Sequence, residues 1–415
     1  MKILFLPVYH YPEKAASLYL GENAREEYAR LGWKMKMYCP YPTRGVSEEE
    51  RKKYILNPNT EELGGALSVE RFKLPREGKN LILRAIRYFV CQQKHYRLAK
   101  KEKDTDVLFV SSTPPIQGLL MGRLKKKLGC KTVYNLQDIF PDSLVNANLT
   151  QRGSLVWKIG RLVEDKTYKS ADKIIVISEK FKQNIMAKGV PENKIEIVRN
   201  WVDESAVVPI PRENNPLFDR YGLDRTHFYV TYCGNIGKSQ NLQLLVEVAG
   251  RLRENKDIRF VVIGDGVCKG VLEQMIAVKE LDNIKLIPFL PYEEISYVFS
   301  LGDAGLVISK PGIGTNSVPS KTWSIMCAER AVISSFDIDS ELGDVITESE
   351  CGICVPPDNV DGLVEAILRL KNNPEECRRY GENGRKYTLA NLTKEIGCKK
   401  LSNLIDDLVN NVADN

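Results

Sequence analysis

Twice along this chain, short runs of Val, Ile and Leu alternate with longer segments of helical periodicity. No other feature narrows the possible folds as far. Short apolar runs have no wet face, so they must be covered on both sides, and a parallel sheet with helices on both faces does that. In the first series, strands are predicted at 3–8, 36–39, 68–74, 107–111, 132–135, 173–177 and 194–198, with helices at 18–31, 81–103, 117–128, 156–170 and 179–187. In the second, strands are predicted at 229–233, 259–263, 284–287, 304–308, 331–334 and 352–355, with helices at 242–254, 271–279, 295–301, 322–328, 360–370 and 375–387. A last helix, 392–409, has no strand after it. Between the series, residues 202–225 carry Pro209, Pro211, Asn214, Asn215 and Pro216 and no sustained period, which reads as a linker. The predicted organisation is one doubly wound α/β domain at 1–203, a linker at 204–226, a second such domain at 227–390 and a C-terminal helix at 391–415. Two such domains facing across a cleft would hold ligands at the carboxyl ends of their strands.

At 415 residues the chain is too long for one core, and its 43% hydrophobic and 27% charged residues are those of an ordinary soluble protein. No apolar run reaches the roughly 18 residues that span a bilayer. The stretch from Met1 to Pro7 is too short for a signal peptide and reads as a buried strand. Ten cysteines without paired spacing suit a reducing compartment, so a cytoplasmic chain without an anchor is expected. The net charge of +6 is unevenly placed: residues 1–205 carry 37 Lys and Arg against 24 Asp and Glu, or +13, and the remainder carries −7. A basic first half implies an acidic partner for that half alone, whether phospholipid headgroups, a lipid-linked diphosphate or nucleic acid. Nucleic acid is set aside, because no aromatic-basic module or zinc spacing accompanies the charge.

The densest group of candidate residues lies at 311–344. Pro311-Gly312-Ile313-Gly314 opens a loop that ends in Pro319-Ser320-Lys321, ahead of a short apolar helix, a strand and the loop Phe336-Asp337-Ile338-Asp339-Ser340-Glu341. A helix N-terminus offers unpaired N–H groups and a positive dipole end, and Lys321 adds a full charge, which together would seat a diphosphate. The same residues would also serve as a loop capping an ordinary helix. Tyr232-Cys233-Gly234-Asn235-Ile236-Gly237-Lys238-Ser239 follows a strand and precedes a helix. It is no P-loop, since Tyr232 stands where that motif needs its first glycine. What remains is a glycine-containing turn that either cradles phosphate or simply turns. Gly264-Asp265-Gly266 ends the next strand, where glycine lets backbone approach a ligand or makes a plain turn, and Asp265 is placed to bond a sugar hydroxyl. Asp337-Ile338-Asp339 has Asp-x-Asp form, but two carboxylates with no third ligand nearby make a poor metal site, and no metal is expected.

Cys351-Gly352-Ile353-Cys354 has redox spacing but lies in a strand pattern, so both cysteines are predicted to be small buried hydrophobes. Three histidines exclude catalysis built on several of them; His10 follows the first strand and stays a candidate, while His95 and His227 read as surface residues. Asp138, in Asn135-Leu136-Gln137-Asp138-Ile139-Phe140-Pro141-Asp142, should sit at the first sheet's carboxyl edge, able to orient an acceptor hydroxyl or to cap a helix. Between residues 79 and 103 a basic helix with apolar residues, including Arg84, Arg87, Lys94 and Arg97, suits either an anionic membrane surface or solvent.

In order and spacing, several of these strings resemble glycosyltransferase family 4 over nearly the whole chain: Gln137 to Asp142, Ala171-Asp172-Lys173-Ile174-Ile175-Val176-Ile177-Ser178, Lys194-Ile195-Glu196-Ile197-Val198-Arg199-Asn200, Gly264-Asp265-Gly266, Pro319-Ser320-Lys321 and Gly352-Ile353-Cys354-Val355-Pro356-Pro357. The Pro-Ser-Lys form is similar to the WbuB-like bacterial surface-polysaccharide branch. The resemblance implies the GT-B fold, two Rossmann-like domains with a C-terminal helix crossing back to the first. It implies a retaining, metal-independent transfer without cofactor from a nucleoside-diphosphate sugar, UDP-linked and N-acetylated or amino-deoxy, to a polyprenyl-diphosphate-linked saccharide. Such an enzyme would be peripheral on the inner face of the plasma membrane. Donor contacts would fall on Gly234, Asn235, Gly237, Lys238, Gly264, Asp265, Gly266, Pro319, Ser320 and Glu341. Acceptor contacts would fall on His10, Ala15, Ala16 and Ser17, and the chemistry on Lys321 and Asp138. The chain also departs from the family. Asn235 and Gln240 stand where an arginine and a lysine usually hold the diphosphate, so Lys238 or Lys321 must supply the charge, and Lys321 is preferred. The paired glutamates fall on Asn316 and Ser324, leaving Glu341 as substitute, and Glu329 occupies a usual glycine. A sugar-nucleotide epimerase, which shares the scaffold, and a non-catalytic sugar-nucleotide binder are the rival readings.

Overall fold

The structure, a computed structural model, describes residues 1–13, 18–75, 81–146, 149–314 and 318–410, with backbone alone at Leu81, Ile82 and Asn146. It divides into two compact units, Met1–Arg199 with Gly397–Asn415, and Asn200–Ile396. In the first, β1 (Lys2–Phe5), β2 (Lys34–Pro40), β3 (Asn59–Glu62), β4 (Leu67–Phe72), β5 (Val107–Ser111), β6 (Lys131–Leu136), β7 (Lys173–Val176) and β8 (Ile195–Ile197) form one sheet in the order β3-β4-β2-β1-β5-β6-β7-β8. Every neighbouring pair is parallel except β3 with β4. The sequence reading missed β3. Its Asn-Thr-Glu-Glu run is polar and lies at the sheet's edge, so backbone pairing holds it without any apolar period.

The second unit contains β9 (Phe228–Cys233), β10 (Ile258–Ile263), β11 (Ile284–Ile287), β12 (Ala304–Ile308), β13 (Ala331–Ser335) and β14 (Gly352–Val355), all parallel, in the order β11-β10-β9-β12-β13-β14. Strand alternation sends Val230, Tyr232, Leu306 and Ile308 into a core with Leu245, Val248, Leu363 and Ile367. The opposite face splits into two cores: Val307 and Val332 meet Trp323, Ile325 and Met326, while Tyr229 and Val261 meet Leu217 and Phe218. Every residue of β12 and β13 is buried, which accounts for the apolar runs at 304–308 and 331–333. The predicted linker is packed rather than free. Leu217 and Phe218 are fully buried, Asn215 Nδ2 donates to the Tyr297 carbonyl at 2.8 Å, and Arg212 pairs with Asp303. The unit boundary therefore falls at Arg199 and Asn200.

The helical layer of the first unit reverses one expectation. On the Leu81–Ala99 helix, Arg87 is buried, its Nε donating to the Pro75 carbonyl at 2.9 Å. Lys94 Nζ donates to the Lys73 carbonyl at 2.6 Å, and Arg84 Nη2 to the Tyr88 hydroxyl at 3.4 Å. Arg87 is thus not a membrane contact, and Lys94 is tied to the loop below. Of the four basic candidates, only Arg97 is exposed, whereas Leu83, Ile86 and Phe89 are each more than half exposed. His95 is also a core residue, not a surface one: its Nε2 donates to the Tyr38 carbonyl at 2.9 Å and burial lowers its pKa to about 4. The Leu155–Ser170 helix shows a second exposed apolar stripe, Leu155, Val156, Ile159 and Leu162. Between these two helices lies the Gln117–Leu128 helix, with Arg123 stacked 4.3 Å over the Tyr96 ring.

Among the described residues no helix is long and apolar enough to cross a membrane. All ten cysteines are free; Cys351 is buried as predicted, just before β14, whereas Cys354 within β14 is only half-buried.

Candidate active site

The order of the second sheet reverses between β9 and β12. Chain leaving β9 runs to β10 on one side and chain leaving β12 runs to β13 on the other, so the loops at their carboxyl ends part and leave room for a ligand. The loops after β9 and β10 are zipped together. Ile236 N–H donates to the Asp265 carbonyl at 2.8 Å and Cys268 N–H to the Ile236 carbonyl at 2.9 Å. The fit is close enough that a Cβ at Gly264 would collide with the Gly234 carbonyl, and one at Gly266 with that of Ile236. Glycine is needed here for backbone approach, and at Gly234 also for its φ of +144°. The predicted residues Gly234, Asn235, Gly237, Gly264, Asp265 and Gly266 therefore form one cradle. Asp265 is exposed, and its carboxylate accepts from the N–H of Gly266 at 2.8 Å. Asn235 Nδ2 lies 3.5 Å from Gln240 Oε1, so the two positions stripped of positive charge are neighbours. Lys238 is exposed.

Lys321 opens the Lys321–Cys327 helix, which Trp323, Ile325 and Met326 pin into the core beside β12 and β13. Its side chain reaches back over the cradle. The Nζ lies 3.8 Å from the centroid of the Tyr232 ring, and a Cβ at Gly234 would come within 2.8 Å of it. Among the described residues no carboxylate and no hydrogen-bond acceptor pairs with this ammonium. Loss of hydration without a counter-charge lowers its pKa to about 8, opposed only by the nearby Cys233 thiol. The helix start adds less than the sequence suggests. Thr322 N–H already donates to the Pro319 carbonyl at 3.0 Å and Trp323 N–H to that of Ser320 at 3.1 Å, and the Ser320 side chain caps nothing. Positive character at this corner therefore comes from the lysine rather than from free amides.

Asp337 closes the other side. Its Oδ1 accepts from Gly312 N–H at 2.9 Å and its Oδ2 from Gly314 N–H at 2.7 Å, so the carboxylate anchors the Pro311–Gly314 loop. No cluster of three His, Cys, Asp or Glu side chains suited to a metal occurs among the described residues. Ser340 caps the Glu341–Ser349 helix, and Glu341 is buried at its first position. Residues 315–317, with Asn316, lie outside the described residues. Asp337→Asn replaces one acceptor with a donor facing a donor, so it is expected to loosen the loop and raise the donor KM about threefold to tenfold. Steady-state kinetics with and without EDTA check this; if the carboxylate instead held a metal, EDTA would reproduce the defect in the unaltered protein.

In the first unit, His10 is buried with Nε2 3.3 Å from Glu62 Oε2, and burial lowers its pKa. Asp138 follows β6 and is exposed. Crowding around its carboxyl raises the pKa, a hydrogen bond with Ser143 opposes that, and the open surface caps the effect. Asp142 is committed to Lys188 at 2.7 Å. Ala15, Ala16 and Ser17 lie outside the described residues. Two parts of the site were not foreseen: Tyr232 as the surface under the lysine, and Asp337 as the anchor of the loop. A polar cavity of about 370 Å³ opens at the amino end of the second sheet, but there Arg212 is paired with Asp303 and Lys371 with Asp257.

Two family profiles match the chain, Glycosyltransferase Family 4 over residues 22–206 and Glycosyl transferases group 1 over residues 214–387. Among curated proteins it is similar to the probable glycosyltransferase WbjE of Pseudomonas aeruginosa, 25% identical over 300 residues, which is 72% of this chain and 74% of that one. It is similar also to the putative colanic acid biosynthesis glycosyl transferase WcaI of Escherichia coli (strain K12), 27% identical over 269 residues, 63% of this chain and 66% of that one. Among solved structures, sucrose-phosphate synthase from Thermosynechococcus elongatus superposes with a TM-score of 0.78 at 15% identity, covering 98% of each chain. HepE from Anabaena, solved in complex with UDP, superposes with a TM-score of 0.74 at 13% identity, covering 98% of this chain and 100% of that one.

Proposed function

This chain belongs to glycosyltransferase family 4, and from that premise we propose that it transfers a UDP-linked hexose, N-acetylated or amino-deoxy, to a polyprenyl-diphosphate-linked saccharide with retention of configuration. It is a glycosyltransferase of bacterial surface-polysaccharide synthesis, with the GT-B fold. The observation that carries the donor reading is the lone ammonium of Lys321 against a cradle of glycines. A half-buried cation with no carboxylate partner among the described residues calls for an anion, and the departing diphosphate gains charge as the glycosidic bond breaks. Lys321 neutralises that charge where it grows, which is the interaction that lowers a barrier rather than merely binding substrate. The leaving phosphate takes the acceptor's proton, with Asp138 orienting the acceptor hydroxyl, and neither metal nor cofactor is required. UDP as the carrier is supported by the UDP complex of the similarly folded HepE. A panel of nucleoside-diphosphate sugars tested by thermal shift identifies the donor, since a ligand specific to the folded state raises the melting temperature. Incubating that donor without acceptor then separates transfer from epimerisation: a new sugar isomer would contradict the transferase reading.

A lipid-linked acceptor places the enzyme at a membrane. The stripes Leu83, Ile86, Phe89 and Leu155, Val156, Ile159, Leu162, with exposed Arg97, Arg123, Lys158 and Lys166 among them, form the surface we assign to it. Vesicles rich in anionic lipid are expected to sediment the protein at low salt and release it at high salt. The pair Leu155→Glu and Ile159→Glu should abolish sedimentation while leaving donor binding unchanged. Sedimentation that survives the pair would remove this surface without touching the transferase reading.

A further inference from the structure

We propose that Tyr232 is a positioning residue for Lys321: its ring face holds the ammonium over the Gly234 turn without cancelling the charge that the donor's diphosphate must meet. The inference rests on the reading of Lys321 as the diphosphate's counter-charge.

The ring is well placed to hold the ammonium. Tyr232 is the fifth of six residues in β9 and is fully buried in the core beneath the site. Its hydroxyl donates to the Asn235 carbonyl at 2.7 Å, so the ring is fixed at both ends and braces the turn it supports. The Lys321 Nζ sits 3.8 Å from the ring centroid, with Gly234 beside it bare of any side chain that would push it away. A flexible lysine stem is thereby confined to one place.

The chemistry explains why a ring stands there and not a carboxylate. An Asp or Glu would fix the lysine firmly, but it would leave no net charge and would repel an incoming diphosphate. An aromatic face attracts a cation through its quadrupole and carries no net charge itself. The ammonium is held and remains available. Among the described residues, the titratable groups beside Lys321 are Tyr232, whose ring lies under the ammonium and whose hydroxyl is turned to the Asn235 carbonyl, and the Cys233 thiol. Burial pushes both up, the thiol to about 11, so both are neutral where Lys321 titrates. Loss of its proton therefore comes from Lys321 alone, and a weaker ring must bring that loss to lower pH.

The test grades the ring while keeping its shape. Tyr232→Phe removes the hydroxyl, and incorporation of mono-, di- and trifluorophenylalanine at 232 then withdraws electron density stepwise with little change in volume. Selective labelling of lysine, assigned with Lys321→Met, reads the titration of Lys321 by NMR in the full ligand-free chain, and calorimetry reads UDP affinity at pH 7.5. The titration midpoint of Lys321 is expected to fall with each fluorine, by up to about one pH unit, and UDP affinity with it by up to roughly tenfold. A midpoint that stays put across the series would overturn the proposal, because a ring that only filled space would give that result. If the midpoint moves but Lys321→Met binds UDP as the unaltered chain does, the ring holds the lysine but the diphosphate reading beneath it falls. Tyr232→Leu, monitored by melting, then reports the packing contribution separately.

Discussion

Lys321→Met is expected to lower the transfer rate by about 10²–10³-fold while leaving the chain folded and more stable than before. The rate effect follows from removing the full positive charge that lies against Gly234, comparable to deleting a donor from an oxyanion hole. The stability effect follows from the same isolation. Burial without a counter-charge moves the lysine from 10.5 to about 8. At about 1.4 kcal/mol for each unit, holding it charged costs roughly 3 kcal/mol at neutral pH. Because the folded chain's lysine releases its proton first, the unfolded chain binds more protons between about pH 8 and 10.5. The penalty is therefore fully present below pH 8 and fades as the pH rises to 10.5. Methionine keeps the length of the stem and a favourable sulfur contact with the Tyr232 ring. Melting of the variant at pH 7 should rise by roughly 5 °C or more, and the gain should vanish above pH 10. Near-normal turnover in a stable variant would remove Lys321 from the chemistry.

Gly264→Ala is the second large effect, and it is steric. The new Cβ would collide with the carbonyl of Gly234, a backbone atom held by its own strand and unable to swing aside as a side chain would. The loops after β9 and β10 must part, breaking the bond from Ile236 N–H to the Asp265 carbonyl. The expected loss is about 2–4 kcal/mol of stability, with at least a tenfold weaker affinity for donor in whatever remains folded. Gly270→Ala is the control. It lies in the Lys269–Val278 helix with nothing within 4 Å of the new methyl group, and should stabilise by about 0.4–1 kcal/mol. Chemical denaturation and donor titration of the two variants together distinguish a cradle of close contact from a turn that merely happens to contain glycine.

What the sequence revealed followed from local periodicity. Thirteen of the fourteen strands overlap a predicted one, and only β3, a polar edge strand, gave no signal. The cradle was legible because glycine at a strand's end is a local mark. Its partner was not. Tyr232 alternates with Val230 in β9 and is a core residue, so it reads as core, and nothing nearby in sequence announces a lysine arriving from position 321. The inverted face of the Leu81–Ala99 helix was hidden for a related reason. Arg87, Cys91 and His95 share one side by their spacing, but arginine and histidine on a helix ordinarily mark solvent. Here Arg87 reaches the Pro75 carbonyl and His95 that of Tyr38, acceptors supplied by distant chain. Asp337 was set aside as a poor metal ligand and given no other role, because its partners, the Gly312 and Gly314 amides, lie in another loop.

The central claim is that the Lys321 ammonium, held over a glycine cradle with no carboxylate partner among the described residues, is the counter-charge of the donor's diphosphate. Calorimetric titration of UDP into the unaltered chain and Lys321→Met, at pH 7 and at pH 9.5, tests it most directly. With Lys321 titrating near 8 when free and higher when paired, the unaltered chain should bind UDP about tenfold or more weakly at pH 9.5, and the variant should bind weakly at both. Equal affinity of the two proteins at pH 7, or the same pH dependence in both, would contradict the claim.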